Sequence, residues 1–261
     1  MSEDVDRIVK VIPKVESEVV EIVKGLKVED AVLPCVKAYI LNSIVLRMAY
    51  SIRKGGSVDV DKYILDVKKA LYEKGRVKDL IDTCRLYVEL KDRKPHTVAD
   101  IGCGVGLNLN IIKSYVNYPL FLVGIDKNLY FLKVLNHMLE DIDVIQADAL
   151  MLPLRVESID MIFNTAVIHE LPSLKAIDEF KRVLKSGGSI LLRDFTIRYV
   201  PSLIMDIIRR FKMMLKMKSE TLYTLEQLRS KIRSIGMSIE RIASFKRTRF
   251  TSSTTIIATK K

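Results

Sequence analysis

The sequence predicts an α/β fold: a mostly parallel sheet that closes in an antiparallel hairpin and follows an all-helical N-terminal region. Three observations predict it. Up to residue 95 the apolar residues recur at helical spacing. After Pro95, short β-branched runs alternate with amphipathic helices. Near the end, two strand candidates follow each other with no helix between them.

In the first region, Val5, Ile8, Val9 and Ile12 share one helical face, as do Val15, Val19, Ile22 and Val23. Pro13 marks a start or a kink between them, and Gly25 can stop the segment. A second helix opens near Pro34 and runs to Lys54, where Gly55-Gly56 end it. A third is capped by Asp59 or Asp61 and ends at Lys74-Gly75. A fourth covers Arg76 to about Arg93, before Lys94-Pro95. Residues 1–95 thus read as a helical cap or bundle, and 96–261 as a second domain.

In that domain, strands are expected at Thr97–Ile101, Leu120–Ile125, Asp143–Gln146, Ile159–Asn164 and Ser189–Phe195. Helices are expected between them at Leu107–Tyr115, Leu129–Leu139 and Leu174–Leu184. Repeated β-α-β units bury a parallel sheet on both faces and place ligands at the carboxyl ends of its strands. Thr224-Leu225-Glu226-Gln227 is a capping-box pattern opening a helix that ends at Ile235-Gly236. The strand candidates Ser238–Phe245 and Thr254–Thr259 then form the hairpin.

Composition narrows the function. With 49% apolar and 29% charged residues the chain can fill a core and keep a solvated surface. No apolar run approaches the ~20 residues that span a bilayer. The acidic start MSEDVDRIVK does not read as a signal peptide, so a cytoplasmic location is expected. Cys35, Cys84 and Cys103 form no C-x-x-C pair, which argues against a zinc site and against a disulfide framework. His96, His137 and His169 are equally scattered, so no metal is expected. Glutamine is confined to Gln146 and Gln227 while Lys, Arg and Ile abound, a lean toward a thermophilic source. The net charge of +11 equals that of residues 196–261 alone, with 15 basic and 4 acidic groups. That asymmetry suits an anionic partner near the C-terminal part, or a solvated basic face.

The most informative stretch is VADIGCGVGLNLNII, Val98–Ile112. Gly102, Gly104 and Gly106 let the backbone turn sharply and approach a ligand, with helix amides behind them. No Gly-Lys-Ser/Thr follows, which disfavours a phosphate-gripping loop. The NAD fingerprint needs glycine where Leu107 stands, so NAD comes second. Asp126 closes FLVGID at the position where a carboxylate can take both ribose hydroxyls. Asp148 follows the third strand, where it can accept from an adenine amino group, and Asp100 can fix the loop. Clustered carboxylates would repel a pyrophosphate; they suit an adenosine that carries an amino acid and a sulfonium.

With these residues in place the chain resembles the class I S-adenosylmethionine-dependent methyltransferases, of the small-molecule type that includes quinone and sterol biosynthesis. The resemblance covers Thr97 to Lys260. It rests on VADIGCGVG, VGIDKN, QADALMLPL, SIDMIFNTAVIHEL and FKRVLKSGGSILLRDF, in that order. It implies a Rossmann-like, seven-stranded sheet ending in a reversed hairpin, and in-line transfer of the sulfonium methyl group. By position, Asp100, Gly102, Cys103, Gly104 and Gly106 would surround the methionine portion. Asp126 would hold the ribose with Lys127 beside it. Asp148 and Ala149 would face the adenine, and Asn164 would begin the loop toward the acceptor. Cys103 reads as a small space-filler.

After the fourth strand, Asn164-Thr165-Ala166-Val167-Ile168-His169-Glu170-Leu171 lacks the Asn/Asp-Pro-Pro-aromatic pattern of adenine amino-methylating enzymes. It also lacks the cysteine of cytosine-5 methyltransferases, and resembles small-molecule enzymes instead. His169 is the candidate general base, with Glu170 to orient or replace it. The alternative is that alignment and desolvation suffice and His169 packs beneath the site. Residues 200–218, VPSLIMDIIRRFKMMLKMK, read as a basic amphipathic helix: a substrate lid, a packing element or a membrane-surface contact without stable insertion. The expected acceptor is a small molecule. An RNA or protein acceptor held by the basic C-terminal region is the alternative, and a non-catalytic cofactor-binding protein ranks last.

Overall fold

The computed structural model describes residues 2–72, 76–197, 223–246 and 251–261. The helices α1 (Ser2–Val9), α2 (Ile12–Lys24), α3 (Leu33–Arg53), α4 (Val60–Tyr72) and α5 (Val77–Lys91) come first. The alternation then runs β1 (Thr97–Ile101), α6 (Leu107–Tyr115), β2 (Phe121–Asp126), α7 (Leu129–Met138), β3 (Asp143–Gln146) and β4 (Ile159–Thr165). It continues with α8 (Ala176–Val183), β5 (Leu184–Ile197), β6 (Tyr223–Thr224) and α9 (Leu225–Ser234). Strands β7 (Met237–Lys246) and β8 (Thr251–Lys260) close it. The basic segment 200–218 and the expected helix end at Lys74-Gly75 lie outside the described residues.

By compactness the chain falls into two units: Met1–His96 with Cys103–Gln146, and Thr97–Gly102 with Ala147–Lys261. In the first, α3 is the hub, packing against α1, α2, α4, α5 and α6. Its buried positions run almost all round the helix, from Cys35 and Val36 to Ala49 and Ile52, as a helix enclosed by others requires. Pro13 stands in the first turn of α2 and starts it rather than kinking it. Asp59 accepts the backbone N–H of Lys62 at 3.0 Å and caps α4. Strands β2 and β3 pair in parallel, which sets Asp126 opposite Gln146.

One expectation is corrected in this unit. Cys35 of α3 and Cys84 of α5 form a disulfide, with Cα atoms 5.6 Å apart. Sequence spacing could not reveal it, because the two cysteines are 49 residues apart and meet only through helix packing. Cys103 is a buried thiol.

In the second unit the strand order is β1-β4-β5-β8-β7. Strands β1, β4 and β5 are parallel, and β8 runs antiparallel to both β5 and β7. Arg193 of β5 is opposite Thr165 of β4, and this register governs the site described below. The expected hairpin is present. A two-residue strand, β6, adds to the expected set by pairing in parallel with Thr196 and Ile197. The capping box at α9 forms in full: Gln227 N–H donates to Thr224 Oγ1 at 3.1 Å, and Thr224 N–H to Gln227 Oε1 at 2.8 Å. Among the described residues no helix is long and apolar enough to cross a membrane.

Candidate functional site

In the first unit the glycine turn is fastened to the end of β2. Cys103 N–H donates to the Ile125 carbonyl at 3.0 Å. Gly104 N–H donates to Asp126 Oδ2 at 2.8 Å, while Asn128 N–H donates to Asp126 Oδ1 at 2.7 Å. Both carboxylate oxygens are thus aimed by backbone donors, yet each retains a second acceptor position. Asn128 caps α7 by accepting the Tyr130 N–H at 3.1 Å, which holds the residues after Asp126 in place. Lys127 is exposed, and its carbonyl accepts Gln146 Nε2 at 3.1 Å.

The three glycines serve different ends. A Cβ on Gly106 would lie 2.2 Å from Leu135 Cδ1, so this position is small to let α6 and α7 approach. A Cβ on Gly102 would lie 2.2 Å from Val167 Cγ2 within the second unit. At Gly104 (φ +53) the nearest atom to a Cβ would be Leu46 Cδ1 of α3, at 3.7 Å. A Cβ there would make only an ordinary van der Waals contact, so packing does not keep this position small, and its backbone is already tied to Asp126. Leu46 is a contributor that motif reading missed; nothing in its local sequence sets it apart from the other apolar residues of α3. Cys103 packs with its Sγ 3.1 Å from the place a Gly124 Cβ would occupy, which suits a space-filler.

The second unit holds the remaining candidates. Asp100 is fully buried at the end of β1. Asp148 Oδ1 accepts the Leu150 N–H at 2.9 Å and so shapes its own turn; Ala149 is buried beside it. The loop that follows is clamped by α8. Arg182 donates to the carbonyls of Leu152 at 2.8 Å and Leu154 at 2.9 Å, and Glu179 Oε2 accepts the Leu152 N–H at 2.9 Å. Arg182 Nε and Glu179 Oε1 pair at 2.8 Å, and this guanidinium holds the Glu179 carboxyl below its usual range.

Asn164 is fully buried near the end of β4. Its Nδ2 donates to the Ile101 carbonyl at 2.8 Å, whereas its Oδ1 is buried with no hydrogen-bond partner among the described residues. An unmet acceptor of this kind costs roughly 1–3 kcal/mol unless a donor reaches it. Ala166 follows with φ +59, and its N–H donates to the Arg193 carbonyl at 2.8 Å. The chain then makes a 3₁₀ turn, Ile168–Glu170.

His169 in that turn is buried. Its Nδ1 lies 2.6 Å from Asp194 Oδ1, and its backbone N–H donates to Asp194 Oδ2 at 3.1 Å. The Phe195 N–H donates to Asp194 Oδ1 at 2.6 Å, and the Phe195 ring meets the imidazole edge-on with centroids 5.3 Å apart. Glu170 is exposed, its N–H turned to the Val167 carbonyl at 2.9 Å. The carboxylate that meets the imidazole is Asp194, which sequence reading missed. The available signal was an acid inside the apolar run SILLRDF, next to the end of β5.

Comparison with known proteins follows from this geometry. Residues 99–192 match the family described as "Methyltransferase domain". A ubiquinone/menaquinone biosynthesis C-methyltransferase, UbiE, of Campylobacter jejuni is 31% identical over 121 residues, 44% of this chain and 51% of that protein. A tRNA (carboxymethyluridine(34)-5-O)-methyltransferase of Arabidopsis thaliana is 34% identical over 99 residues, 36% of this chain and 23% of that protein. Among solved structures, a SAM-dependent methyltransferase of Methanosarcina mazei has the same fold, with a TM-score of 0.52 at 20% identity over 63% of this chain and 92% of that one. The chain spans about half the length of the UbiE proteins that it matches.

Proposed function

We propose that this chain, which carries a class I S-adenosylmethionine-dependent methyltransferase domain, transfers a methyl group by in-line displacement to a small-molecule acceptor. The observation that carries the reading is the Gly104 turn, whose N–H is tied to Asp126 at 2.8 Å and whose Cβ position meets no atom of the described residues nearer than 3.7 Å. The donor, when bound, supplies an electrophilic methyl group on sulfur. Gly102, Cys103 and Gly104 would line its methionine portion, with Asp100 holding the turn. Gly106 would let α6 present its first amides. Asp126 would accept both ribose hydroxyls with Lys127 alongside, and Asp148 and Ala149 would meet the adenine. The unmet Oδ1 of Asn164 suits a donor such as an ammonium group.

His169 is the base in this reading. The acceptor we favour is a hydroxyl-bearing aromatic ring of the quinol kind, because the relatives act in ubiquinone and menaquinone biosynthesis. Removing its hydroxyl proton raises the electron density of the ring at the carbon to be methylated. The helices of residues 1–95 would cap the donor turn through α3. A cytoplasmic location fits a small, diffusible acceptor.

Calorimetric titration with S-adenosylhomocysteine tests the donor half. The wild type should bind, and Asp126→Ala should bind ~10–100-fold more weakly, the loss of charge-assisted hydrogen bonds. Wild-type affinity in the variant would overturn the assignment. An RNA acceptor is the lesser reading, supported by the basic C-terminal region and by the tRNA methyltransferase relative. It requires RNA binding that weakens steeply with salt.

A further inference from the structure

We infer that Asp194 is the positioning residue of the acceptor side: it holds His169 as the Nδ1–H tautomer, so that Nε2 is the nitrogen that takes the acceptor's proton. The inference rests on the reading of His169 as base and deepens it, because it commits the site to acceptors whose reacting group carries a removable O–H proton.

Three features of the geometry argue for this. A carboxylate only accepts hydrogen bonds, so a ring nitrogen 2.6 Å from Asp194 Oδ1 must be the donor, and the lone pair falls on the other nitrogen. Second, the same carboxylate also takes the backbone N–H of His169 on Oδ2. It therefore fixes the turn that carries the imidazole as well as the imidazole's orientation. Third, the side chain of Asp194 is 1% exposed and that of His169 is 11% exposed. In so dry a setting the carboxylate's charge is little screened and its bond to the ring is not diluted by water. An exposed pair of the surface kind would hold the ring far less firmly. Phe195 restricts the ring further by its edge-on contact.

The step balances without another reactant. The acceptor's O–H bond breaks, its electron pair stays on oxygen and the proton goes to Nε2. The ring carbon activated by that oxygen bonds the methyl carbon as the carbon–sulfur pair withdraws to sulfur. The ring becomes aromatic again when this carbon loses its own proton and the oxygen regains one. The positive charge lost from sulfur reappears on the imidazole, facing Asp194. A phenolic or quinol hydroxyl needs this help, whereas an acceptor already ionised in solution does not.

The test is made on the full chain labelled with ¹⁵N-histidine, which has only His96, His137 and His169 to assign. Under conditions where the imidazole is neutral, His169 should give the shifts of an Nδ1–H tautomer. Asp194→Asn should abolish that pattern, since an asparagine amide can donate to Nδ1 and favours Nε2–H. With 1,4-naphthohydroquinone as probe acceptor, kcat should fall ~10²–10⁴-fold in Asp194→Asn, with the donor's KM changed less than about threefold. Asp194→Glu, which keeps a carboxylate, should restore the tautomer and part of kcat, and it serves if the asparagine variant fails to fold. An unchanged tautomer in Asp194→Asn would overturn the proposal, as would wild-type kcat there while His169→Ala is inactive. Wild-type kcat in His169→Ala would instead overturn the base reading itself, and the tautomer measurement would still judge Asp194.

Discussion

The glycine turn with Asp126 and the turn that carries His169 both use backbone amides to aim a carboxylate, but only the second adds a bond between two side chains. Around Asp126 the contacts come from the backbone: amides of Gly104 and Asn128 aim the carboxylate, and absent side chains make the room. Around His169 a side chain on one strand's end meets a side chain loop 25 residues away. The difference has a physical consequence. A backbone-built site changes shape only when packing fails, so it binds one fixed group well. A side-chain-built site can be altered one residue at a time, which is how a fold keeps its donor and changes its acceptor.

Four perturbations probe that contrast. The largest effect should come from the disulfide of the first unit. Cys84→Ser removes a cross-link between residues 49 apart, and by chain-entropy reasoning the loss in unfolding free energy is about 4 kcal/mol. Denaturant melts of oxidised wild type and variant would read it. If the His169 tautomer survives in the folded variant, the two sites are mechanically separate, as the contrast requires. A smaller loss is expected for Gly106→Ala, whose Cβ would meet Leu135 at 2.2 Å with φ at +84: about 2–3 kcal/mol of stability.

Gly104→Ala sharpens the comparison further. Its Cβ meets nothing nearer than 3.7 Å among the described residues, so the stability loss should be only about 1 kcal/mol, from the left-handed backbone. Affinity for S-adenosylhomocysteine should nevertheless fall by more than about tenfold, the signature of a position kept small for a ligand. Equal losses at Gly104 and Gly106 in both measurements would erase the distinction drawn between them.

A comparably small loss of stability concerns the clamp on the loop that follows Asp148. Because Arg182 depresses the Glu179 carboxyl in the folded chain, the pair adds stability above the carboxyl's unfolded value. That stability is lost as pH falls through the lower folded value. Glu179→Gln should cost about 1–2 kcal/mol at neutral pH, and the gap from wild type should shrink below pH ~4. A gap that does not narrow on acidification would exclude the ion pair as its source.

Much of the fold around the glycine turn was legible in the sequence because it follows from local rules. Strand β1, helix α6 and strand β3 fall where residue spacing puts them, and the capping box at Thr224 and Gln227 forms as its pattern requires. Strand β5 is longer than the run Ser189–Phe195, extending from Leu184 to Ile197, because β4 and β8 pair with its two ends. What spacing could not show was anything made by two distant segments. The Cys35–Cys84 bond needs the packing of α3 and α5. The bond between Asp194 and His169 needs the register that places Arg193 opposite Thr165. Glu170 is adjacent to His169 in sequence, but successive residues of a tight turn point apart, so adjacency misled and register decided.

Ala166 gives that register an order of assembly. An L-residue held at φ +59 lies in a conformation that costs roughly 1–2 kcal/mol, and what holds it is the N–H bond to Arg193 on the neighbouring strand. The turn cannot keep this shape until β5 is laid beside β4. His169 and Asp194 are therefore late partners, brought together by the completed sheet. Loss of the bond to Arg193 would free Ala166, and the turn that carries the imidazole would move with it.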